Sequence, residues 1–339
     1  MVNIRDQVTQ RIVEALEAGT PPWRRGWDAM ESHFNASTCK QYQGINQLLL
    51  GMSGFSDPRW LTLKQANAMK SDEHPEGLRV KKGEKATMIV RMVEVEKRAN
   101  DKAPEDGEVI AENGKTRLVM KAFNVFNASQ IDGIPPMPVQ TREIAPVEAV
   151  ERVLDGLKAD GMVLLHGGDS AHYMPKMDSL TMPDKGRFKG DASYEYYSTL
   201  LHEAMHASGH KKRLDRFGLF QKLSTVEARA REELTAELGA TFYGAEIGLP
   251  VGLLAGGEIA GTHLENHAAY IGSWLESLKK DKNEIFKAAA RTQKACDWLR
   301  EHAVVPLVAA EAKESATVDQ LVEVVAAAPE NRKRIGIKL

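Results

Sequence analysis

Apolar residues recur at helical spacing between Asp6 and Ala18, at Val8, Ile12, Ala15 and Leu16, until Gly19 and the Pro21-Pro22 pair end the pattern. A short apolar run predicts a helix over 47–52, and Arg59-Trp60-Leu61 predicts a strand leading into a helix over 64–69. Longer strands are predicted over 86–95 and 116–126, the second with imperfect alternation at Leu118, Met120, Ala122 and Val125. The charged segment 97–115, with its Asn113-Gly114 turn, reads as the loop between them. Pro135-Pro136, Pro138 and Pro146 make 131–146 a stiff extended linker. Beyond it the pattern gives a helix over 147–159, strands over 162–165 and near 171–174, and an edge strand at Leu180-Thr181-Met182-Pro183. Helices follow: one capped by the Asp191 region and running to Ala207, one over 228–242, and two over 270–280 and 283–302. This order predicts an α+β protein with a small first domain at 1–130, the linker at 131–146, a second domain at 147–302 and a tail at 303–339.

A length of 339 residues suits two domains that each bury a core. The net charge of -2 excludes a globally basic nucleic-acid binder, so any such surface must be local. Cys39 and Cys296 are far apart and form no metal spacing, which fits a reducing cytoplasm. No secretory core or membrane-length apolar run is present, so a soluble, cytoplasmic chain with no membrane partner is expected.

The strongest chemistry is His202-Glu203-Ala204-Met205-His206, an H-E-x-x-H pattern inside a predicted helix. Residues i and i+4 share a helical face, so His202 and His206 can present two imidazoles to one Zn²⁺. Glu203 projects beside them as a base for a bound water. The bland alternative is an amphipathic helix with solvated histidines, and a third ligand decides between the two. A third histidine after Gly209 would fall at position 212, which is lysine, so that route fails. A carboxylate on the 228–242 helix remains, where Glu233 and Glu237 share a face and spacing alone does not rank them. The pair resembles the arrangement in Glu-zincin metallopeptidases. That resemblance implies that Glu233 binds the metal and Glu237 orients a ligand histidine. Glu232 points off that face and reads as solvated. The cluster His210-Lys211-Lys212-Arg213 reads first as charge favourable to a helix C-terminus, and second as an attraction for nucleic acid. Further on, Thr262-His263-Leu264-Glu265-Asn266-His267 carries another histidine pair, with Glu265 misplaced as a base; His267 or Tyr270 is a candidate oxyanion donor.

From 21 to 93 there are eleven Lys and Arg against seven Asp and Glu. This modest excess is interleaved with aromatic residues, and that interleaving suggests a single-strand-binding surface. Candidate contacts are Trp23, Arg24, Arg25, Lys40, Tyr42, Lys81, Lys82 and Lys85, with Trp27, Arg59 and Trp60 in the same pattern. The alternative is that the tryptophans plug a small core.

Pro22-Trp23, Asn35-Ala36-Ser37-Thr38, Tyr42-Gln43-Gly44-Ile45-Asn46, Arg59-Trp60-Leu61-Thr62, Lys64-Gln65-Ala66, Lys82-Gly83-Glu84-Lys85 and Val125-Phe126-Asn127 occur in the order seen in ArdC-type antirestriction proteins. Over about 3–300 the chain resembles that family, with Cys39 standing where the family pattern has glycine. The resemblance implies a single-stranded DNA-binding domain followed by a zincin-like, SprT-like metallopeptidase domain that protects incoming conjugative plasmid DNA. It leaves the protein or peptide substrate unnamed. The competing expectations are a pure DNA-binding shield with an idle zincin scaffold and, more weakly, a metal-dependent nuclease.

Overall fold

The computed structural model describes residues 3–18, 32–96, 109–110, 116–135, 137, 145–188, 192–219, 225–249 and 263–303. Helix α1 (Ile4–Glu17) starts at Asn3, whose side chain accepts from the Arg5 amide, and it buries Val8, Ile12, Val13 and Leu16. A short strand β1 (Phe34–Asn35) precedes α2 (Ile45–Gly51), which is entered through Gly44 at φ 55°, a backbone state that glycine adopts without strain. Strand β2 (Arg59–Leu61) runs into α3 (Leu63–Ala68), where Thr62 and Gln65 form a reciprocal capping box. After β3 (Arg79–Val80), strand β4 (Thr87–Glu96) lies antiparallel to β6 (Thr116–Asn127), in register from Thr87↔Val125 to Glu96↔Thr116. Strand β5 (Val109–Ile110) pairs with β6, and β7 (Ile131–Asp132) pairs with β3, so the first residues of the Pro-rich segment still belong to the amino-terminal sheet region. The larger sheet has the order β1-β2-β6-β4.

The carboxyl-terminal half begins with α4 (Pro146–Ala159), with Pro146 at a first-turn position that needs no amide donor. Strands β8 (Val163–His166), β9 (His172–Met174) and β10 (Ser179–Met182) follow, then helices α5 (Ala192–Ala207), α6 (Arg216–Leu219), α7 (Val226–Ile247), α8 (His263–Lys280) and α9 (Glu284–His302). The three strands are ordered β8-β10-β9, which corrects the expectation that 180–183 is an edge strand. Strand β10 sits in the middle, parallel to β8 and antiparallel to β9, with Leu180 and Met182 fully buried. Sequence alternation reports which face of a strand is buried but not how many neighbours it has. The edges are β8 and β9.

One apolar core runs through both halves. Val8, Ile12 and Leu16 of α1 and Leu48 and Leu49 of α2 belong to the same buried cluster as Leu157, Leu200, Leu201, Leu238, Trp274 and Leu299. Polar links reinforce the contact: Thr9 Oγ1 donates to the Lys282 carbonyl at 2.8 Å, and the Gly44 amide donates to Gln293 Oε1 at 2.9 Å. Separate small clusters, Leu50-Trp60-Ile89-Val125 and Leu61-Ala66-Leu78-Ile131, hold the amino-terminal strands. Among the described residues, no helix is long and apolar enough to cross a membrane.

Candidate metal centre

Helix α5 carries His202 and His206 on one face, and α7 lies beside it. The approach is close because α7 is lined with Ala228, Ala230, Ala236, Gly239 and Ala240, all residues with little or no side chain. A Cβ on Gly239 would stand 2.7 Å from Met205 Sδ, so the glycine sets how near the helices come. Gly248, at φ 77°, ends α7 in the left-handed cap that glycine favours.

At the crossing, the Nε2 atoms of His202 and His206 are 3.2 Å apart. Glu233 spans them, with Oε2 at 3.5 Å from His202 Nε2 and Oε1 at 3.6 Å from His206 Nε2. The candidate ligand atoms of His202, His206 and Glu233 lie within 4.8 Å of one another. Two imidazole nitrogens facing each other beside a carboxylate have one donor atom each for a shared cation, and this donor set fits a divalent metal with room for a further ligand. Glu203 is buried at 3% exposure on the same helix.

The supporting residues differ from the sequence expectation in one respect. Glu232 is 6% exposed rather than solvated, and its Oε1 lies 3.3 Å from His206 Nδ1. Arg216 holds the same carboxylate, with Nη2 at 2.7 Å from Oε1 and Nε at 3.2 Å from Oε2. The physical reason is that α7 is buried nearly all round, so a side chain turned away from the metal face still meets protein. Arg216 also donates to Ser208 Oγ at 2.8 Å and to the Met205 carbonyl at 2.5 Å. A Cβ at Gly209 would lie 2.9 Å from Arg216 Nη2, so the glycine that follows the histidine pair leaves room for this guanidinium. Glu237 lies 3.9 Å from His202 Nδ1. Each histidine therefore has its own carboxylate on the side away from the metal position. Sequence reasoning missed Glu232 and Arg216, because the turn around Glu232 also carries Arg229, Arg231 and Glu233 and so reads as a solvated, charged stretch.

The charges are tightly coupled. Burial alone would lower the His202 and His206 pKa values, but the Glu233 hydrogen bond at His202 and the Glu233 charge at His206 raise them, with Glu203 adding to both. Burial would raise Glu233, but the His206 charge and the His202 hydrogen bond hold it far below the usual carboxylate range. Glu232 is likewise held down, against its burial, by the Arg216 charge and then by His206.

The basic cluster after α5 is largely turned inward. The Arg213 side chain is fully buried, with Nη1 and Nη2 at 2.8 and 3.1 Å from the two Asp178 oxygens and Nη1 also donating to the Ala207 carbonyl. With Arg216 engaged by Glu232, only Lys211 and Lys212 remain as exposed cations there.

Of the proposed DNA contacts, Trp23, Arg24 and Arg25 lie outside the described residues, as does Trp27. The side chains of His267 and Tyr270 also lie outside them, although both positions fall within α8. Lys40, Lys81, Lys82 and Lys85 are exposed, and Lys81 Nζ donates to the Ser129 carbonyl at 2.8 Å. Lys40 follows Cys39, whose φ of 54° explains why glycine suits that turn. Tyr42 is half-buried and its hydroxyl accepts from Asn35 Nδ2 at 3.2 Å; burial pushes its pKa up. Ala36 and Val80 pack on one small cluster, which brings the turn before Lys40 and the strand before Lys81 to the same side of the protein. Trp60 corrects the stacking pattern: it is fully buried between His33 and Phe55, and its Nε1 donates to His33 Nδ1 at 3.2 Å. Arg59 is likewise taken up by a fork on Asp57.

Two family models match the chain in order: the N-terminal domain of anti-restriction factor ArdC over residues 2–126, and a zincin-like metallopeptidase over residues 148–291. A DNA primase TraC of Escherichia coli is 37% identical over 307 residues, which cover 87% of this chain and 27% of the primase. The chain thus spans well under half of that relative. An uncharacterized protein y4eC of Sinorhizobium fredii is 33% identical over 88% of this chain and 91% of its own length. The Mn(II)-bound crystal structure of the antirestriction protein ArdC from plasmid R388 superposes with a TM-score of 0.67 at 32% identity, covering 89% of this chain and 99% of that one. With both halves matched in order and a relative similar along nearly its whole length, the chain belongs to the ArdC antirestriction family, in which a zincin-like metallopeptidase domain follows the ArdC amino-terminal domain.

Proposed function

We propose that this chain binds single-stranded DNA through residues 1–130 and hydrolyses a protein or peptide substrate at a zinc site in residues 147–302, protecting incoming plasmid DNA. The observation that carries the peptidase half is the convergence of His202, His206 and Glu233 beside the buried Glu203. Two imidazoles and one carboxylate favour Zn²⁺ over Mn²⁺ in intrinsic affinity, and the related ArdC structure being Mn(II)-bound supports a divalent ion as the cofactor. When bound, such an ion supplies Lewis acidity and lowers the pKa of a coordinated water toward neutrality.

The remaining chemistry is the chain's own. Glu203 takes the proton from the attacking water and passes it to the leaving amine. Glu232, within hydrogen-bond reach of His206 Nδ1, fixes the hydrogen on that nitrogen and leaves the His206 Nε2 lone pair facing Glu233, while Glu237, 3.9 Å from His202 Nδ1, acts on His202 through its charge. An extended peptide would add to the edge strand β9, which packs against α5 and lies antiparallel to its neighbour. The TraC relative is a DNA primase and the R388 relative an antirestriction protein, and both names support a nucleic-acid partner. Exposed Lys40, Lys81, Lys82 and Lys85, together with Trp23, Arg24, Arg25 and Tyr42, are the proposed contacts.

The test is incubation of wild-type and Glu203→Gln protein with a cell lysate, with and without single-stranded DNA, followed by detection of new protein amino termini. New termini that depend on Glu203 are expected. None above the variant's background would remove the peptidase and leave a DNA-binding shield.

A further inference from the structure

The β4–β6 ladder sorts its charges by face. The rungs Ile89↔Phe123 and Arg91↔Lys121 are two residues apart, so Arg91 and Lys121 are directly opposed and Phe123 stands beside them on the same face. Glu94 and Glu96 point to the opposite face. Arg91 and Lys121 are exposed, and Phe123 is 39% exposed. Among the described residues neither cation has an ion-pair partner. Like charges directly opposite each other weaken a strand pair, and a phenyl ring left in water forgoes its burial. Both unfavourable features are relieved together by a ligand that offers negative charges alongside flat apolar rings. Single-stranded nucleic acid is such a ligand, whereas an acidic protein would satisfy the cations and leave the ring unexplained. The same face also continues into the cluster of Ile89, Trp60 and Val125 on which Tyr42 packs.

We propose that Phe123, Arg91 and Lys121 form a contact for single-stranded DNA, with a base stacked on Phe123 and neighbouring phosphates on the two cations. This rests on the DNA-binding reading above and adds a strand face to the loop lysines named there.

The test is fluorescence anisotropy of a labelled oligothymidine with the full chain across a salt series. Arg91→Gln with Lys121→Gln should lower the slope of log affinity against log salt by about 1.4, since each phosphate contact to a single strand contributes roughly 0.7. Phe123→Leu, which keeps an apolar strand residue, should weaken binding roughly five-fold to one-hundred-fold. The paired glutamine variant should melt no lower than wild type, because it removes a like-charge opposition. Wild-type binding with every variant unchanged overturns the hairpin contact and leaves the DNA-binding reading standing. A reduced slope in the glutamine pair with Phe123→Leu unchanged overturns the stacking contact and marks a general polyanion surface. Absence of wild-type binding overturns both readings.

Discussion

Glu232 accepts from His206: its Oε1 lies 3.3 Å from Nδ1, while Arg216 grips the same carboxylate at 2.7 Å from behind. A buried carboxylate held by a guanidinium stays ionised and can only accept, so the Nδ1 proton is fixed and Nε2 faces His202 and Glu233. Removing the charge should loosen that orientation. Glu232→Gln is expected to weaken zinc binding roughly 10- to 100-fold in a chelator competition. It should also cost about 3–5 kcal/mol of stability, because Arg216 is left buried without its partner. Glu232→Leu with Arg216→Met should recover stability but not affinity; recovery of both would show that the pair only fills space.

Helix spacing is the second control on the site. Gly239→Ala would place a methyl 2.7 Å from the fully buried Met205 Sδ, next in sequence to His206. Either Met205 changes rotamer or α5 and α7 separate, and overpacking of this kind costs about 1–3 kcal/mol. Urea unfolding should show that loss together with weaker zinc binding. An alanine variant as stable and as tight as wild type would contradict the packing account.

The metal-free protein should depend on pH in a defined direction. His202 and His206 have pKa values raised in the fold by Glu233, so their contribution is complete below the ordinary imidazole value of 6.5 and fades as pH climbs through the raised values. Glu232 and Glu233 are depressed, so their contribution is present above the ordinary carboxylate value of 4.5 and fades as pH falls through the lowered values. The metal-free melting temperature should therefore decline from about pH 6.5 upward, whereas zinc affinity should rise over the same range as competing protons leave the histidines. Calorimetry with and without zinc checks both signs, and parallel trends in the two would contradict the coupling.

Cys39 is exposed and sits at φ 54°, so it pays the strain of a left-handed backbone without packing in return. That strain is about 1–2 kcal/mol for a residue with a Cβ. Glycine relieves it at an entropic cost of roughly 0.5–1 kcal/mol. Cys39→Gly should raise stability by up to about 1 kcal/mol in thermal unfolding; a lowered melting temperature would show that the thiol makes a contact that matters.

Much of this was legible in the chain. Helix periodicity located α1, α4 and α9 closely, and the i, i+4 histidines with a following acidic helix narrowed the third donor to Glu233 or Glu237, a choice that the Glu-zincin resemblance made and spacing did not. Three things were not legible. The pleat of Leu180 and Met182 does not reveal that β10 has a neighbour on each side. Trp60 beside Arg59 reads as a stacking pair, but only the fold closes His33 and Phe55 over the ring. Glu232 looked solvated because it sits off the metal face, and its true partner, Arg216, comes from a separate short helix. Long-range polar pairs of this kind leave no period in the sequence.

In the proposed site, α5 and α7 jointly hold one metal. Equilibrium zinc titration of the metal-free protein should find one tight site per chain in wild type and in Glu203→Gln, and no tight site in His202→Ala with Glu233→Ala. Full tight binding in that double variant would contradict the account.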